Sequence, residues 1–194
     1  MNVTREIKRE IFREYDIRGV YPTDINQDVS YTIGRAYGSY IKQRNQKKCI
    51  VGRDNRYSSE EIENALIQGI ISTGISVLDL GLVTTPMYYY ACIKSGVPAG
   101  IMVTASHNPK DDNGFKFSFD ENGNAKGEEI QDFYEFVMLG KFEDGEGVIG
   151  FYDVKEEYCR YLLSAVQIHD DRLIVGMGQL LFLHQQSIMQ LNKN

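Results

Sequence analysis

The sequence predicts an α/β protein whose mixed, mainly parallel sheet is flanked by helices. Between residues 26 and 104, short apolar segments alternate with longer segments whose apolar residues recur at helical spacing. Glycine, proline and cap residues separate these segments. This alternation is typical of βαβ units, which build a parallel sheet with helices on its faces. Residues 115–119 alternate apolar and polar side chains instead, and they indicate a strand of a different kind.

The first part of the pattern predicts a helix, a strand and a second helix. Residues 26–45 form the first helix, and residues 48–52 are short and apolar, as in a buried strand. Ser58 is followed three residues later by Glu61, which predicts a capping box at the start of the second helix; Gly74 ends that helix. The helically spaced apolar residues of the first helix are Val29, Ile33, Tyr37, Tyr40 and Ile41.

The next elements are a strand over residues 75–80, a third helix, and a strand over residues 99–104. Thr85 is the predicted N-cap of the helix and Pro86 lies in its first turn, while Gly96 supplies the C-terminal cap. A half-buried strand follows, and its addition predicts a mixed sheet. The apolar residues of that strand are Phe115, Phe117 and Phe119.

We place a domain boundary at residue 150. A helix over residues 128–138 precedes it, and residues 140–150 are rich in glycine and acidic side chains, which predicts a surface connection. Residues 1–150 would then form the first domain, and residues 151–194 a linker helix and the incomplete start of a second domain.

The pattern beyond the boundary is irregular. Residues 154–168 predict a helix and residues 173–175 a strand, but residues 179–194 show no recognisable order of strand, cap or turn. A frameshift after Gly178 would explain this tail, so we expect the chain to be truncated.

Composition indicates an ordinary globular protein. The 194 residues are 42% hydrophobic and 25% charged, with a net charge of −6, which argues against nucleic acid or an anionic membrane as partner. The N-terminus lacks the apolar segment of a signal peptide, so we expect a cytoplasmic protein. Its cysteines, which lack CxxC spacing, are expected to be reduced. They are Cys49, Cys92 and Cys159.

The most informative segment, TASHNPKDDNGFK, occupies residues 104–116, directly after a predicted buried strand. Ligands of open α/β sheets gather at the carboxyl ends of strands. One serine hydroxyl among an imidazole and two amines suits phosphate chemistry. From the residues alone, the same segment is equally well explained as a turn-rich connection, since Ser-His-Asn-Pro and Asn-Gly are turn sequences.

This segment resembles the phosphoserine loop of the phosphohexomutases. FREYDIRG at residues 12–19 is similar to the opening signature of the phosphomannomutase/phosphoglucomutase branch, and VGRDNR at residues 51–56 is a weaker match. The resemblance covers residues 8–175 and implies the fold of the family's first domain, together with the start of its second.

The resemblance implies an enzyme that interconverts hexose 1-phosphates and hexose 6-phosphates. Ser106 would carry the transferred phosphoryl group, and His107, Lys116 and Arg18 would be the other catalytic residues. Tyr15, Arg18 and Lys116 would bind the substrate. Mg²⁺ would be held by the Ser106 phosphate and by aspartates of a second domain, and a hexose 1,6-bisphosphate would act as activator.

Several family segments do not occur in this sequence, among them the Asp-Gly-Asp-Gly-Asp-Arg loop that holds Mg²⁺. The acidic pairs at residues 111–112 and 170–171 lack its spacing, so metal ligation is not assigned to them. We therefore expect no turnover from this chain alone, and self-association through a face that further domains would cover. The preference for mannose or glucose phosphate is open. The alternative is a non-catalytic module that binds phosphosugars or a partner.

Overall fold

The computed structural model describes residues 1–165, and its central feature is a six-stranded sheet. In chain order its strands are β1 (Ile17–Val20), β2 (Lys48–Arg53), β3 (Ser76–Leu82), β4 (Gly100–Val103), β5 (Asp112–Ser118) and β6 (Ile149–Phe151). Across the sheet they lie in the order β1-β5-β4-β2-β3-β6. Strands β2, β3, β4 and β6 run parallel to their neighbours within this group, whereas β5 is antiparallel to both β1 and β4. The mixed, mainly parallel sheet predicted from the sequence is therefore confirmed.

Helices cover both faces of this sheet. Successive strand residues point to opposite faces. Val51 therefore faces the core shared with the first, second and fourth helices, whereas Ile50 faces the side on which the third helix buries Met87 and Tyr88. No helix in the described residues is both long and apolar enough to cross a membrane. The helices that cover the sheet are α1 (Gln27–Lys42), α2 (Ser59–Ile71), α3 (Thr85–Ser95) and α4 (Glu128–Leu139). A fifth helix, α5 (Lys155–Ala165), follows β6 in the chain.

Two of the predicted helix caps are wrong in detail. Ser58 precedes α2 but makes no capping hydrogen bond; its hydroxyl instead accepts a 2.8 Å hydrogen bond from the buried Asn113 side chain. The N-cap of α3 is Thr84 and not Thr85, because the Thr84 hydroxyl accepts from the Met87 amide. The cap at Gly96 is confirmed by its left-handed conformation, with φ of 64°.

The two strands that the sequence did not predict lie at the edges of the sheet. Strand β1 falls in the opening segment, and β6 falls inside the predicted surface connection over residues 140–150. They span only four and three residues, too few for a period of two to be visible in the sequence.

The chain divides into two units, Met1–Tyr152 and Asp153–Asn194, close to the boundary placed at residue 150. Within the second unit the structure describes α5, which agrees with the predicted helix as far as Ala165. The predicted strand at residues 173–175 and the irregular tail lie outside the described residues. The assignment of the second unit to the start of a further domain stays a prediction.

Aromatic side chains fill the core between the sheet and helices α1 and α4. The rings of Phe117 and Phe119 stack with centroids 5.7 Å apart, and Phe133 of α4 lies within 5.3 Å of both. The hydroxyl of the fully buried Tyr37 donates a 2.7 Å hydrogen bond to the Ser118 carbonyl, so this buried polar group is satisfied. The period of two at the three phenylalanines therefore places them in the core and leaves Lys116 on the opposite face.

Helices α1 and α2 approach each other through glycine. A Cβ atom added at Gly34 would lie 2.2 Å from the Leu66 carbonyl oxygen, and one added at Gly69 would lie 2.2 Å from the Tyr31 carbonyl oxygen. Backbone carbonyls cannot move aside as a flexible side chain can. The spacing of the two helices therefore requires glycine at both positions.

We predict that Gly34→Ala lowers the free energy of unfolding by about 1 kcal/mol in total, because overpacking of this tight contact costs about 2 kcal/mol. Helix propensity acts in the opposite direction, since alanine is favoured over glycine by about 1 kcal/mol in a helix. Urea unfolding followed by circular dichroism measures the balance. Gln68→Ala, at an exposed position of α2, is the control and is expected to change little; a stabilised Gly34→Ala variant would contradict the packing argument.

A buried carboxyl group lies where α2 covers the ends of β2 and β3. Glu63 is 4% exposed, and burial raises its pKa to about 8, with a further contribution from the Asp79 carboxylate. Arg53 Nε lies 2.9 Å from Glu63 Oε2 without the alignment of a hydrogen bond, and Glu63 Oε1 has no partner in the described residues. Arg53 Nη2 also lies 3.5 Å from Oε2 of the exposed Glu60, so Arg53 connects the end of β2 to α2 through both glutamates.

Glu63→Gln should make stability less sensitive to pH. The pKa of Glu63 in the folded state, about 8, lies above its ordinary value of 4.5, so the folded protein binds this proton more tightly. The resulting stabilisation is complete below about pH 4.5 and is lost as the pH rises through about 8. The variant should therefore gain about 1 kcal/mol or more over the unchanged protein between about pH 5 and about pH 9. Urea titrations across that range measure the difference, and a difference independent of pH would disprove the assignment.

Candidate active site

The ends of four strands lie close together where the parallel strands β2 and β4 have their carboxyl ends. The parallel strands β2 and β4 end side by side, with Arg53 opposite Val103, and the loop over residues 104–111 continues from β4. Strand β1 is antiparallel to β5 and begins level with the end of β4, because Ile17 and Val103 both lie opposite Phe115. Asp16 and Arg18 therefore lie next to the same loop. Strand β5 returns from the loop and carries Lys116. Pairing of β5 with both neighbours thus brings together residues about one hundred positions apart.

Ser106 lies in this loop in a left-handed backbone conformation, with φ of 57°. Its side chain is exposed, while its backbone amide donates a 2.9 Å hydrogen bond to the Thr104 hydroxyl. That hydroxyl in turn donates to Asp54 Oδ2 at 2.7 Å. Non-glycine residues rarely adopt positive φ, and when they do the surrounding structure holds them there. The serine hydroxyl is therefore presented to solvent from a fixed backbone.

Two cations share one buried carboxylate beside the loop. Asp16 Oδ2 accepts from Arg18 Nε and Nη2 at 2.9 and 2.8 Å, and from Lys116 Nζ at 3.1 Å. The Asp16 side chain is 7% exposed, the Arg18 side chain 11% and the Lys116 side chain 23%. Two positive charges against one negative charge leave this cluster with a formal charge of +1. The cluster favours an anion at the adjacent surface.

Arg18 also binds the loop directly. Its Nη1 donates to the Ala105 carbonyl oxygen at 3.0 Å and to Asn108 Oδ1 at 2.6 Å. With the two bonds to Asp16, the guanidinium thus makes four hydrogen bonds to protein groups. Arg18 fixes the residue that precedes Ser106, and its direct contact with phosphate or substrate stays a prediction.

The two remaining predicted site residues are exposed. His107 follows Ser106 at the tip of the loop, and its imidazole has no hydrogen-bond partner among residues 1–165. Tyr15 is 58% exposed, and a hydrogen bond with the Glu14 carboxylate raises the pKa of its hydroxyl. The structure therefore leaves both side chains available to a bound molecule. Their assigned roles in catalysis and substrate binding stay predictions.

Sequence reasoning missed the residues that support the loop. Asp16 and Arg56 occur inside the segments that carried the resemblance, but no role was assigned to them. Asp54 Oδ1 and Oδ2 accept four hydrogen bonds, from the Arg56 amide and Nε, the Ser59 hydroxyl and the Thr104 hydroxyl. These contacts join segments that are distant in the chain, and only the motif VGRDNR itself could have drawn attention to Asp54 and Arg56.

Residues 1–165 do not by themselves form a magnesium shell. No group of three or more metal-binding side chains occurs in this part of the chain. The oxygens of Asp54 are occupied, and Asp112 Oδ2 accepts from the Asn108 side-chain amide at 2.8 Å. Mg²⁺ requires nearly octahedral oxygen ligands. The acidic pair at residues 170–171 lies outside the described residues.

A family model described as "Phosphoglucomutase/phosphomannomutase, alpha/beta/alpha domain I" matches residues 9–142. The chain belongs to this family. The match contains strands β1 to β5, the loop with Ser106 and helices α1 to α4, so it covers all of the sheet except β6. The resemblance inferred from the three motifs is confirmed.

Relatives within the family carry both enzyme names. The phosphomannomutase/phosphoglucomutase of Pseudomonas syringae pv. tomato is 40% identical over 161 residues, which are 83% of this chain and 33% of that protein. The phosphoglucomutase of Neisseria gonorrhoeae is 36% identical over 164 residues, which are 84% of this chain and 35% of that protein.

A solved structure shows the same fold. The crystal structure of a phosphoglucomutase/phosphomannomutase family protein from Burkholderia thailandensis matches with a TM-score of 0.79 and 36% identity, over 84% of this chain and 37% of that one. The chain thus spans about a third of the length of the curated relatives it matches, whose covered shares are 33% and 35%.

We predict that Asp16→Asn lowers the free energy of unfolding by about 3 kcal/mol, because it leaves two largely buried cations without their counter-charge. Urea unfolding measures the loss. Lys8→Gln, which breaks the exposed ion pair between Lys8 and Asp24, is the control and should leave the unfolding midpoint nearly unchanged. Equal midpoints for the two variants would show that the Asp16 cluster does not contribute to stability.

Proposed function

We propose that this chain provides the phosphoserine domain of a phosphohexomutase that interconverts hexose 1-phosphates and hexose 6-phosphates, with Ser106 as the phosphoryl carrier. The observation that supports it is the placement of Ser106. Its exposed hydroxyl stands on a fixed left-handed backbone at the carboxyl end of β4, next to a cluster with a net positive charge. Membership of the family supplies the reaction, and the whole enzyme's activity is part of the proposal.

In the proposed reaction, phosphoserine 106 gives its phosphoryl group to a free hydroxyl of the hexose phosphate. The Ser106 Oγ–P bond breaks and a bond from phosphorus to the sugar oxygen forms, while the sugar hydroxyl loses its proton and the freed Ser106 Oγ gains one. The bisphosphate then reorients. Its other P–O(sugar) bond breaks as phosphorus bonds to Ser106 Oγ again, and the proton passes from the serine hydroxyl to the freed sugar oxygen. The product is the isomeric monophosphate, and the enzyme regains its starting state.

Cationic side chains have the task of offsetting charge in this reaction. A phosphoserine carries a charge of about −1.5 to −2 at neutral pH. Phosphoryl transfer depends mostly on positioning and electrostatic stabilisation. Lys116 is the more exposed cation of the Asp16 cluster and is proposed to reach the phosphoryl group or the sugar hydroxyl. His107 and Tyr15, both exposed, are proposed to contact the phosphate and the sugar, respectively.

Mg²⁺ is proposed as the metal of the whole enzyme. Of the described residues, we assign only Ser106 to it, through an oxygen of its phosphate. The remaining ligands must come from elsewhere, because the carboxylates nearest the loop are already hydrogen-bonded. A hexose 1,6-bisphosphate is proposed as the compound that first phosphorylates Ser106.

We predict that the product of the full gene becomes phosphorylated on Ser106 when it is incubated with Mg²⁺ and glucose or mannose 1,6-bisphosphate labelled with ³²P. Peptide mass spectrometry locates the label. Ser106→Ala should abolish labelling, because Ser106 carries the exposed hydroxyl of the loop over residues 104–111, whereas Thr104 is buried. Ser95→Ala is the control, since the Ser95 hydroxyl is bonded to the Ala91 carbonyl at the end of α3.

Label on a serine other than Ser106, or retained in Ser106→Ala, would refute the assigned carrier. If the protein takes no label but binds a hexose phosphate with an affinity that Ser106→Ala or Arg18→Ala reduces, the non-catalytic phosphosugar-binding module is the correct function. Calorimetric titration with glucose 6-phosphate and mannose 6-phosphate provides that measurement.

A further inference from the structure

Arg56 contacts four backbone carbonyl oxygens of the loop that carries Ser106. Its Nη2 donates to the carbonyls of Ser106 and Asn108 at 3.0 and 2.9 Å. Its Nη1 donates to the carbonyls of Pro109 and Asp112, the latter at 2.9 Å. One side chain thus binds both the serine residue itself and the point where the loop returns to β5.

The guanidinium is itself held in place from the other side. Arg56 Nε lies 3.2 Å from Asp54 Oδ2, and the Arg56 backbone amide donates to Asp54 Oδ1 at 3.1 Å. The Arg56 side chain is only 10% exposed. Asp54 also accepts from the Ser59 hydroxyl at the start of α2. The loop is therefore tied to the end of β2 and to α2 through one arginine and one aspartate.

The geometry of the guanidinium explains why arginine serves here. Its N–H donors lie in one rigid plane, so the carbonyl oxygens they bind are fixed relative to one another. A lysine ammonium is a point charge on a flexible stem and cannot reproduce that fork. Three of the bound carbonyls, those of Ser106, Asn108 and Pro109, belong to the loop between β4 and β5, outside helix and sheet, and the fourth belongs to Asp112, the first residue of β5. Backbone carbonyls outside helix and sheet need other hydrogen-bond donors.

The bond to the Ser106 carbonyl acts on a residue whose conformation needs support. A non-glycine residue at positive φ costs on the order of 1 to 3 kcal/mol and persists only where its surroundings determine it. The Ser106 amide is fixed by Thr104, and the Ser106 carbonyl by Arg56. Both peptide groups of the serine are thus held, and they fix the direction of its Cα–Cβ bond.

We propose that Arg56 is a positioning residue that holds the Ser106 loop in the conformation required for phosphoryl transfer. It touches neither the phosphoryl group nor the sugar in this role, and it acts through the backbone of the carrier serine. The effect on transfer rests on the function proposed above, whereas the effect on loop order does not.

The first experiment measures loop order by amide hydrogen exchange, observed residue by residue by NMR. The reporters are the amides of Ser106, Asn108 and Asp112, whose acceptors lie in the loop or at its start. In Arg56→Lys we expect their exchange to accelerate by about tenfold or more, equivalent to about 1.4 kcal/mol of local opening. Amides in the centre of α2 should exchange as before, which separates local opening from global unfolding.

Arg35→Lys is the matched control. The Arg35 side chain is 18% exposed and also donates to a loop carbonyl, that of Glu143. Gly145 of the same loop pairs with Thr73, which precedes β3, so this contact lies at the opposite end of the parallel strands from Ser106. This variant should leave the three reporter amides within about twofold of the unchanged protein. Reporter amides unchanged in Arg56→Lys, or equally accelerated in both variants, would overturn the proposal.

Rescue by free guanidinium gives a readout that a general loss of stability would not produce. In Arg56→Ala, guanidinium at tens of millimolar should restore part of the protection of the Ser106 amide, while ammonium at the same concentration should not. Restoration by both ions or by neither would contradict the fork geometry. Arg56→Lys decides the question by itself if Arg56→Ala does not fold.

The second experiment measures the transfer of ³²P from hexose 1,6-bisphosphate to Ser106. In Arg56→Lys the rate at saturating bisphosphate should fall by about tenfold or more, with the half-saturating concentration nearly unchanged, because positioning acts on the transfer step. An unchanged rate would overturn the positioning role. If the unchanged protein takes no label, the proposed function fails, and the exchange experiment still decides whether Arg56 orders the loop.

Discussion

The loop between β4 and β5 keeps its shape because arginine side chains donate hydrogen bonds to its backbone carbonyls. Arg18 binds the Ala105 carbonyl, and Arg56 binds those of Ser106, Asn108, Pro109 and Asp112. A loop outside helix and sheet must find partners for its polar backbone groups elsewhere. Because the partners here are planar and nearly buried, the loop is rigid where the serine stands.

Each of these arginines is paired with its own aspartate. Asp16 holds Arg18, and Asp54 holds Arg56. The pairing offsets part of the cost of burying a guanidinium. Asp16 is shared, because Lys116 also donates to it, and the Lys116 side chain is 23% exposed against 11% for Arg18. Both arginines bind carbonyls of the loop, whereas Lys116 is the more exposed cation beside it.

How far the sequence predicts this structure depends on the range of the interactions concerned. Helix α1 and the helix cap at Gly96 follow from periodicity and local conformation, and both were predicted. The predicted capping box at Ser58 is wrong, because the Ser58 hydroxyl accepts a hydrogen bond from Asn113, 55 positions away, and makes no capping bond. The edge strands β1 and β6 were too short to show a period.

The candidate site shows the same division. Ser106, Arg18 and Lys116 were predicted through the motif resemblance. In the structure Arg18 and Lys116 both donate to the Asp16 carboxylate, which lies beside the loop that carries Ser106. No local pattern indicated that Asp16 would pair two cations or that Arg56 would bind four carbonyls. Those roles exist only after distant segments have met, and composition or spacing along the chain carries no trace of them.

The separation in sequence of the bonded residues also bears on when the site can form. The bond from Lys116 to Asp16 spans 100 residues and that from Arg18 to Asn108 spans 90. Contacts of such separation form slowly, because a long chain segment must first be closed. During synthesis, Arg18 and Asp16 leave the ribosome long before their partners. The serine loop of a nascent chain therefore lacks its support until β5 has been made and has paired with β1, and any phosphorylation of Ser106 that depends on this geometry must follow the synthesis of β5.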